Sequence, residues 1–171
     1  MFGITPKEEL NELHDLPQSS VGAPCPLVFA TEHDLHVSYY LNAVEEGWDG
    51  TTVRVVGPAS TGEPSIIVTF HRVTAHYFGM PNDEAMHGHP LYKLGLKAYS
   101  YFEVLGSSWR DELERMNRVH PRHRKEYYAD VRHFIFTFHD TTLEVLARSY
   151  TAEVTNLPLL KNIERVLKKD A

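Results

Sequence analysis

The fold of this chain is constrained most by a series of strand-like runs that follow one another through short turns, with few helices between them. These runs are rich in β-branched and aromatic residues. The predicted strands cover residues 27–32, 35–41, 51–56, 65–78, 98–105, 133–139 and 143–150. Because short turns join antiparallel neighbours, the series predicts a mainly antiparallel, curved sheet, folded as a sandwich or partial barrel.

One predicted strand also shows which of its faces is buried. Phe134, Phe136 and Phe138 alternate along residues 133–139, so they share one face, and their aromatic rings predict a core position. His133 belongs to the opposite face. The alternation therefore predicts a strand with one face in the core and one face free to carry polar groups.

Three helices are predicted to pack on the sheet. The N-terminal helix, over residues 5–16, is indicated by Thr5 as a capping residue before Pro6. The middle helix, over residues 108–120, has an acidic first turn and apolar residues at helical spacing. The C-terminal helix, over residues 156–169, has an apolar stripe on one side. The predicted fold class is α+β.

The length and composition predict a single domain over residues 1–171, with residues 17–26 as a connector after the N-terminal helix. The net charge of −6 argues against a nucleic-acid-binding protein, and no run is apolar enough to cross a membrane. Cys25 is the single cysteine, which fits a cytoplasmic location and shows no activating neighbour. Ser107 and Ser108 are typical of a helix start and lack the glycine-flanked pattern of a serine nucleophile.

Residues 79–97 are predicted to form a long ordered loop that carries the functional site. This stretch has neither helical nor strand periodicity, and loops of this length are mostly functional or disordered. Its apolar anchors, Met80, Met86, Leu91 and Tyr92, argue against disorder.

The first candidate site is a metal centre. Metals such as zinc bind neutral imidazole nitrogens. His87 and His89, separated by a flexible glycine, can present two such ligands from one short segment. His139, at the end of a predicted strand, is the predicted third ligand. The alternative is a loop pinned by hydrogen bonds from its imidazoles to neighbouring backbone.

Carboxylates near these histidines are the predicted catalytic groups. Asp83, Glu84 or Asp140 would serve as an oxygen ligand or a general base, with Glu144 beyond the following turn. Asp83 and Asp140 are also good turn residues, so local turn formation is the competing interpretation.

These observations favour a ligand- or metal-binding domain, with a small metal-dependent hydrolase as its catalytic form and a divalent metal such as zinc as its cofactor. The alternative is a non-catalytic interaction module that binds a protein partner or a second copy through its C-terminal helix, with Leu160, Ile163 and Leu167 as the contact face. A phosphate binder using Arg122 and Arg124 ranks below both.

Two strings resemble a family of small bacterial proteins that is defined only as a domain of unknown function. They are FGMPNDEAMHGHPLY, residues 78–92, and HFIFTFHD, residues 133–140. The resemblance covers the middle and later parts of the chain. It implies no activity and assigns no site residue.

Overall fold

The computed structural model describes residues 8–43 and 55–169, in which nine strands and two α-helices form an α+β fold. The strands are β1 (Glu9–Glu12), β2 (Leu27–Ala30), β3 (Asp34–Tyr40), β4 (Ser65–His71), β5 (Ala75–Gly79), β6 (Tyr101–Leu105), β7 (Arg132–Thr137), β8 (Thr142–Ala147) and β9 (Ser149–Thr155). One antiparallel sheet has the order β1-β6-β7-β8-β5, and the other has the order β2-β3-β4-β9. The predicted antiparallel α+β class is confirmed.

The two sheets pack face to face around an aromatic core. The ring of Phe70 in β4 lies 5.5 Å from that of Phe134 and 5.3 Å from that of Phe136, both in β7. Phe138 packs edge-on against Tyr39 of β3 at 5.1 Å. All five side chains are buried, so the predicted inward face of residues 133–139 is confirmed.

A second apolar cluster covers the outer face of the five-stranded sheet. Between β5 and β6 the chain forms two 3₁₀ turns, Met86–Gly88 and Pro90–Leu94. Their apolar side chains pack onto β6 and β7 instead of facing solvent. The buried members are Met86, Leu91, Leu96, Phe102, Val104 and Ile135. Packing of this kind holds residues 80–97 against the sheet.

The outer face of the four-stranded sheet is covered by helix α2 (Leu159–Lys169). Leu159 and Asn162 of this helix are fully buried. The amide Nδ2 of Asn162 donates hydrogen bonds to the hydroxyls of Ser38 and Ser65, each at 3.0 Å, and Thr155 donates to its Oδ1 at 3.1 Å. A saturated polar network therefore fixes the helix on the sheet.

The prediction of an N-terminal helix over residues 5–16 is wrong for the part that the structure describes, from residue 8 onward. Strand β1 pairs with β6 and places Leu10 opposite Val104, where Leu10 packs against the second apolar cluster. The carboxylate of Glu8 accepts hydrogen bonds from the amide and hydroxyl of Ser108, both at 2.8 Å, and thus contacts a distant part of the chain. Sheet pairing has overridden the local capping signals.

The prediction of one long strand over residues 65–78 is also wrong. The chain turns at Arg72, whose φ of 54° is left-handed, and β4 and β5 lie in different sheets. Residues 143–150 divide in the same way into β8 and the start of β9. Most of the predicted strand 51–56 falls outside the described residues.

The other two predicted helices are present with shorter bounds. Helix α1 (Ser108–Met116) continues as a 3₁₀ turn, Asn117–Val119, and its capping side chain is Ser107. Helix α2 begins three residues later than predicted, after Pro158. In the described part of the chain, neither helix has the length and apolar character needed to cross a membrane.

Candidate functional site

The predicted site residues divide between two clusters at the outer face and end of the five-stranded sheet. His89 joins Glu144, and His139 joins Asp83. Among the described residues, no hydrogen bond or ion pair links one cluster to the other. The predicted convergence of His89 with His139 is therefore absent from this arrangement.

The first group, here called the glutamate cluster, consists of His89, His133 and Glu144. The Nε2 atom of His133 lies 2.9 Å from Oε2 of Glu144, and that of His89 lies 3.4 Å from Oε1. Strand register explains the first contact, because Leu146 pairs with His133 and Glu144 lies two residues away on the same face. The two carboxylate oxygens therefore each have an imidazole partner.

The hydrogen bonds of His89 determine its tautomer. The backbone amide of Leu91 donates to Nδ1 of His89 at 3.2 Å, so Nδ1 carries a lone pair and no hydrogen. Nε2 must then carry the hydrogen that is donated to Glu144. His89 in this arrangement is a neutral imidazole with no lone pair left for a metal ion.

Ser107 completes the support of His133. Its hydroxyl oxygen accepts the amide hydrogen of Arg110 at the start of α1 and lies 2.9 Å from Nδ1 of His133. This chain of serine, imidazole and carboxylate is similar in composition to a hydrolase triad. Ser107, however, is only 1% exposed, so its hydroxyl caps the helix and orients His133 out of reach of a substrate.

The glutamate cluster lies at a pocket of about 430 Å³. Tyr77 of β5, which pairs with Glu144 of β8, forms one wall of the pocket. Trp109 of α1 forms another wall, and its ring lies 5.2 Å from that of His133. The lining residues are Glu8, His76, Tyr77, His89, Pro90, Leu91, Ser108, Trp109, His133 and Glu144. Apolar walls around a few convergent polar groups are typical of small-molecule sites.

The carboxylate of Glu144 keeps its charge although most of its side chain is shielded, at 18% exposure. Burial acts to raise the pKa of this carboxyl, but hydrogen bonds from His133 and His89 outweigh burial and lower the pKa to about 2. Glu144 is therefore an anion at any physiological pH.

The second group, the aspartate cluster, consists of Asp83, Tyr99 and His139. Nδ1 of His139 lies 2.9 Å from Oδ2 of Asp83, which also accepts a hydrogen bond from the hydroxyl of Tyr99. The amide of Asp83 donates to the carbonyl of His139 at 2.9 Å. These contacts bind the start of the loop to the turn between β7 and β8, and within the described residues Nε2 of His139 makes no hydrogen bond.

The contacts in the aspartate cluster shift the pKa values of its members. The hydrogen bond to Asp83 raises the pKa of His139 above 6.5, and hydrogen bonds from Tyr99 and His139 lower the pKa of Asp83 below 3.8. Partial burial and the bond to Asp83 raise the pKa of Tyr99 to about 12. A carboxylate-oriented imidazole with one open nitrogen has the form of a general base, although this one lies outside the pocket.

No family model, curated protein or solved structure matches this chain. The proposals below therefore depend on the geometry of the two clusters. The resemblance of residues 78–92 and 133–140 to a bacterial family stays a prediction.

Three predicted site residues lie in neither cluster. His87, Glu84 and Asp140 are exposed, and the charges of the two carboxylates help to raise the pKa of His139. In residues 8–43 and 55–169, no group of three or more histidine, cysteine or carboxylate side chains is arranged to hold a metal ion. Zinc binding by His87, His89 and His139 stays a prediction that would require His89 to release its present partners.

A larger depression of about 730 Å³ lies beside α1, and its most buried carboxylate, that of Glu114, is already paired. Glu114 accepts hydrogen bonds from Arg118 at 2.6 Å and from His123 at 2.8 Å. The bond from Arg118, opposed by burial, lowers the pKa of Glu114 to about 2. Arg118 thus neutralises a buried carboxylate of its own chain.

Most of the residues that line the pocket could not be identified from the sequence. His133 was assigned to the polar face of its strand, but nothing in the sequence gave the register that sets it beside Glu144. Tyr77 and Trp109 were predicted as strand and helix residues without a role in a site. The signal available was the alternation itself, which places His133 and Glu144 outside the core.

We expect an Asp83→Asn substitution to return the pKa of His139 toward its ordinary value, because the amide keeps the shape of the carboxylate without its charge. The measurement is an NMR titration of the His139 ring. The raised pKa of His139 adds stability below pH 6.5 that disappears as the pH rises through the folded value. The lowered pKa of Asp83 adds stability above pH 3.8 that disappears as the pH falls through its folded value, so the pair acts most strongly between these limits.

The control is Glu112→Gln, which removes an exposed carboxylate of α1 and should leave the His139 titration unchanged. An unchanged titration in Asp83→Asn would show that the pair does not form in solution.

Proposed function

We propose that this protein is a binding domain for a small organic molecule, and that the pocket over the glutamate cluster is its site. The observation that carries the proposal is the ionised carboxylate of Glu144, fixed by two imidazoles at a pocket with aromatic walls. A shielded carboxylate in a pocket, with its pKa strongly shifted by specific partners, is characteristic of binding and catalytic sites.

The support for the carboxylate also favours a binding role. His89 and His133 are themselves held in place, by the Leu91 amide and the Ser107 hydroxyl. Their rings cannot turn without breaking these bonds. A ligand therefore meets a preorganised polar surface, which reduces the entropy lost on binding.

The proposal is tested by a fragment screen with ¹⁵N-labelled protein, in which the indole signal of Trp109 reports on the pocket. We expect fragments that shift this signal together with the backbone amide signal of Leu91, which also lines the pocket. Measured from the Leu91 amide, their binding should weaken at least tenfold in Trp109→Ala, because this variant removes one aromatic wall. The matched control is Tyr92→Ala, since Tyr92 is an exposed aromatic residue of the same loop that does not line the pocket. A screen without pocket ligands, or equal losses in both variants, would contradict the proposal.

The alternative, a partner-binding face on α2, has a weaker structural basis. Leu160 and Leu167 are exposed, whereas Ile163 is partly buried. Exposed apolar residues scattered in this way are common on protein surfaces. An interaction through α2 stays a prediction.

A further inference from the structure

Glu144 differs from the other shielded glutamates in the partners that it has. Glu103 pairs with Arg132 at 2.6 Å, and Glu114 pairs with Arg118 at 2.6 Å. Glu144 contacts no arginine or lysine among the described residues, only the two imidazoles. Of these three glutamates, Glu144 is therefore the one without an arginine or lysine partner.

Neither imidazole is a permanent cation, because an imidazole titrates close to neutral pH. His89 is neutral, since its Nδ1 accepts the Leu91 amide hydrogen. Nδ1 of His133 lies 2.9 Å from the hydroxyl of Ser107, which can donate its hydrogen to this nitrogen while it accepts the amide hydrogen of Arg110. With both rings neutral and donating through Nε2, the cluster carries the single negative charge of the Glu144 carboxylate.

The pocket walls also favour a positively charged group. Glu8 adds a second carboxylate at the rim, and no lysine or arginine appears among the described lining residues. Trp109 and Tyr77 offer aromatic rings, whose faces attract cations. Negative charge and aromatic faces in one pocket complement a positively charged organic group.

We infer that the pocket selects a cationic ligand, namely an ammonium group on a small apolar or aromatic body. This inference rests on the proposed function and specifies its ligand class. The ammonium would contact the outer side of the Glu144 carboxylate, and the apolar body would lie between Trp109 and Tyr77. An anionic ligand would meet two carboxylates without a compensating cation.

The test compares three probes that share one ring: benzylammonium, benzyl alcohol and benzoate. Affinities are measured from the Trp109 indole signal. We expect benzylammonium to bind at least tenfold more tightly than either of the other probes. In Glu144→Gln, which keeps an acceptor for the imidazole hydrogens, we expect this preference to fall below threefold.

The wild-type ranking decides the inference even if the variant fails to fold. Equal or tighter binding of the alcohol or of benzoate would overturn the cationic class, while binding at the pocket would still support the proposed function. The absence of binding by all three probes would also overturn the class. In that case the fragment screen decides separately whether the pocket binds small molecules.

Discussion

Replacement of Phe136 by alanine is expected to lower the free energy of unfolding by about 3–5 kcal/mol. The side chain is 1% exposed, and its ring lies 4.6 Å from that of Tyr101 and 5.3 Å from that of Phe70. Alanine would leave a cavity between the two sheets, because the surrounding side chains relax only partly into the vacated space. Urea unfolding followed by far-ultraviolet circular dichroism measures the change.

Two variants make this result specific. Phe136→Leu keeps much of the volume and should cost clearly less than alanine. Tyr127→Ala removes an exposed aromatic residue and should change the free energy of unfolding by no more than about 0.5 kcal/mol. A cost below about 1 kcal/mol for Phe136→Ala would mean that the ring is not in the core.

The second large effect is expected for Asn162→Ala, at roughly 2–3 kcal/mol. Asn162 is fully buried and is the shared partner of the Ser38, Ser65 and Thr155 hydroxyls. Alanine would leave these hydroxyls short of partners in a place that solvent cannot reach. The same urea experiment measures the loss.

The matched control on α2 is Lys161→Ala, which breaks an exposed ion pair with Glu164. Such pairs contribute little, and alanine is a good helix former, so we expect a change within about 0.5 kcal/mol. A similar small change in Asn162→Ala would show that water replaces the asparagine and that the network does not fix the helix.

The local hydrophobic pattern was sufficient to predict strands that have one buried face. Phe134, Phe136 and Phe138 alternate without interruption, and these alternate positions form the buried face of their sheet. Local pattern failed where pairing with distant strands decided the outcome. Residues 9–12 follow the helix-start signals of Thr5 and Pro6, yet they form a strand because β6 offers an unpaired edge and an apolar position for Leu10.

The candidate site was less predictable than the fold, because its contacts span long stretches of sequence. His89 and Glu144 are 55 residues apart. Their contact depends on the path of the loop and on the register of β8, neither of which follows from local spacing. Asp83 and His139 were each predicted as site residues, but their direct pairing was not.

The alternation along β7 and β8 has a consequence for how this chain can change. Phe134 pairs with Val145 inside the sandwich, while His133 and Glu144, one position away on each strand, face the pocket. Point substitutions can therefore alter the lining of the pocket without touching the interior. A deletion of one residue within either strand would reverse this partition and turn imidazole and carboxylate groups inward. This hairpin should accept exchanges of side chains far more readily than changes of length.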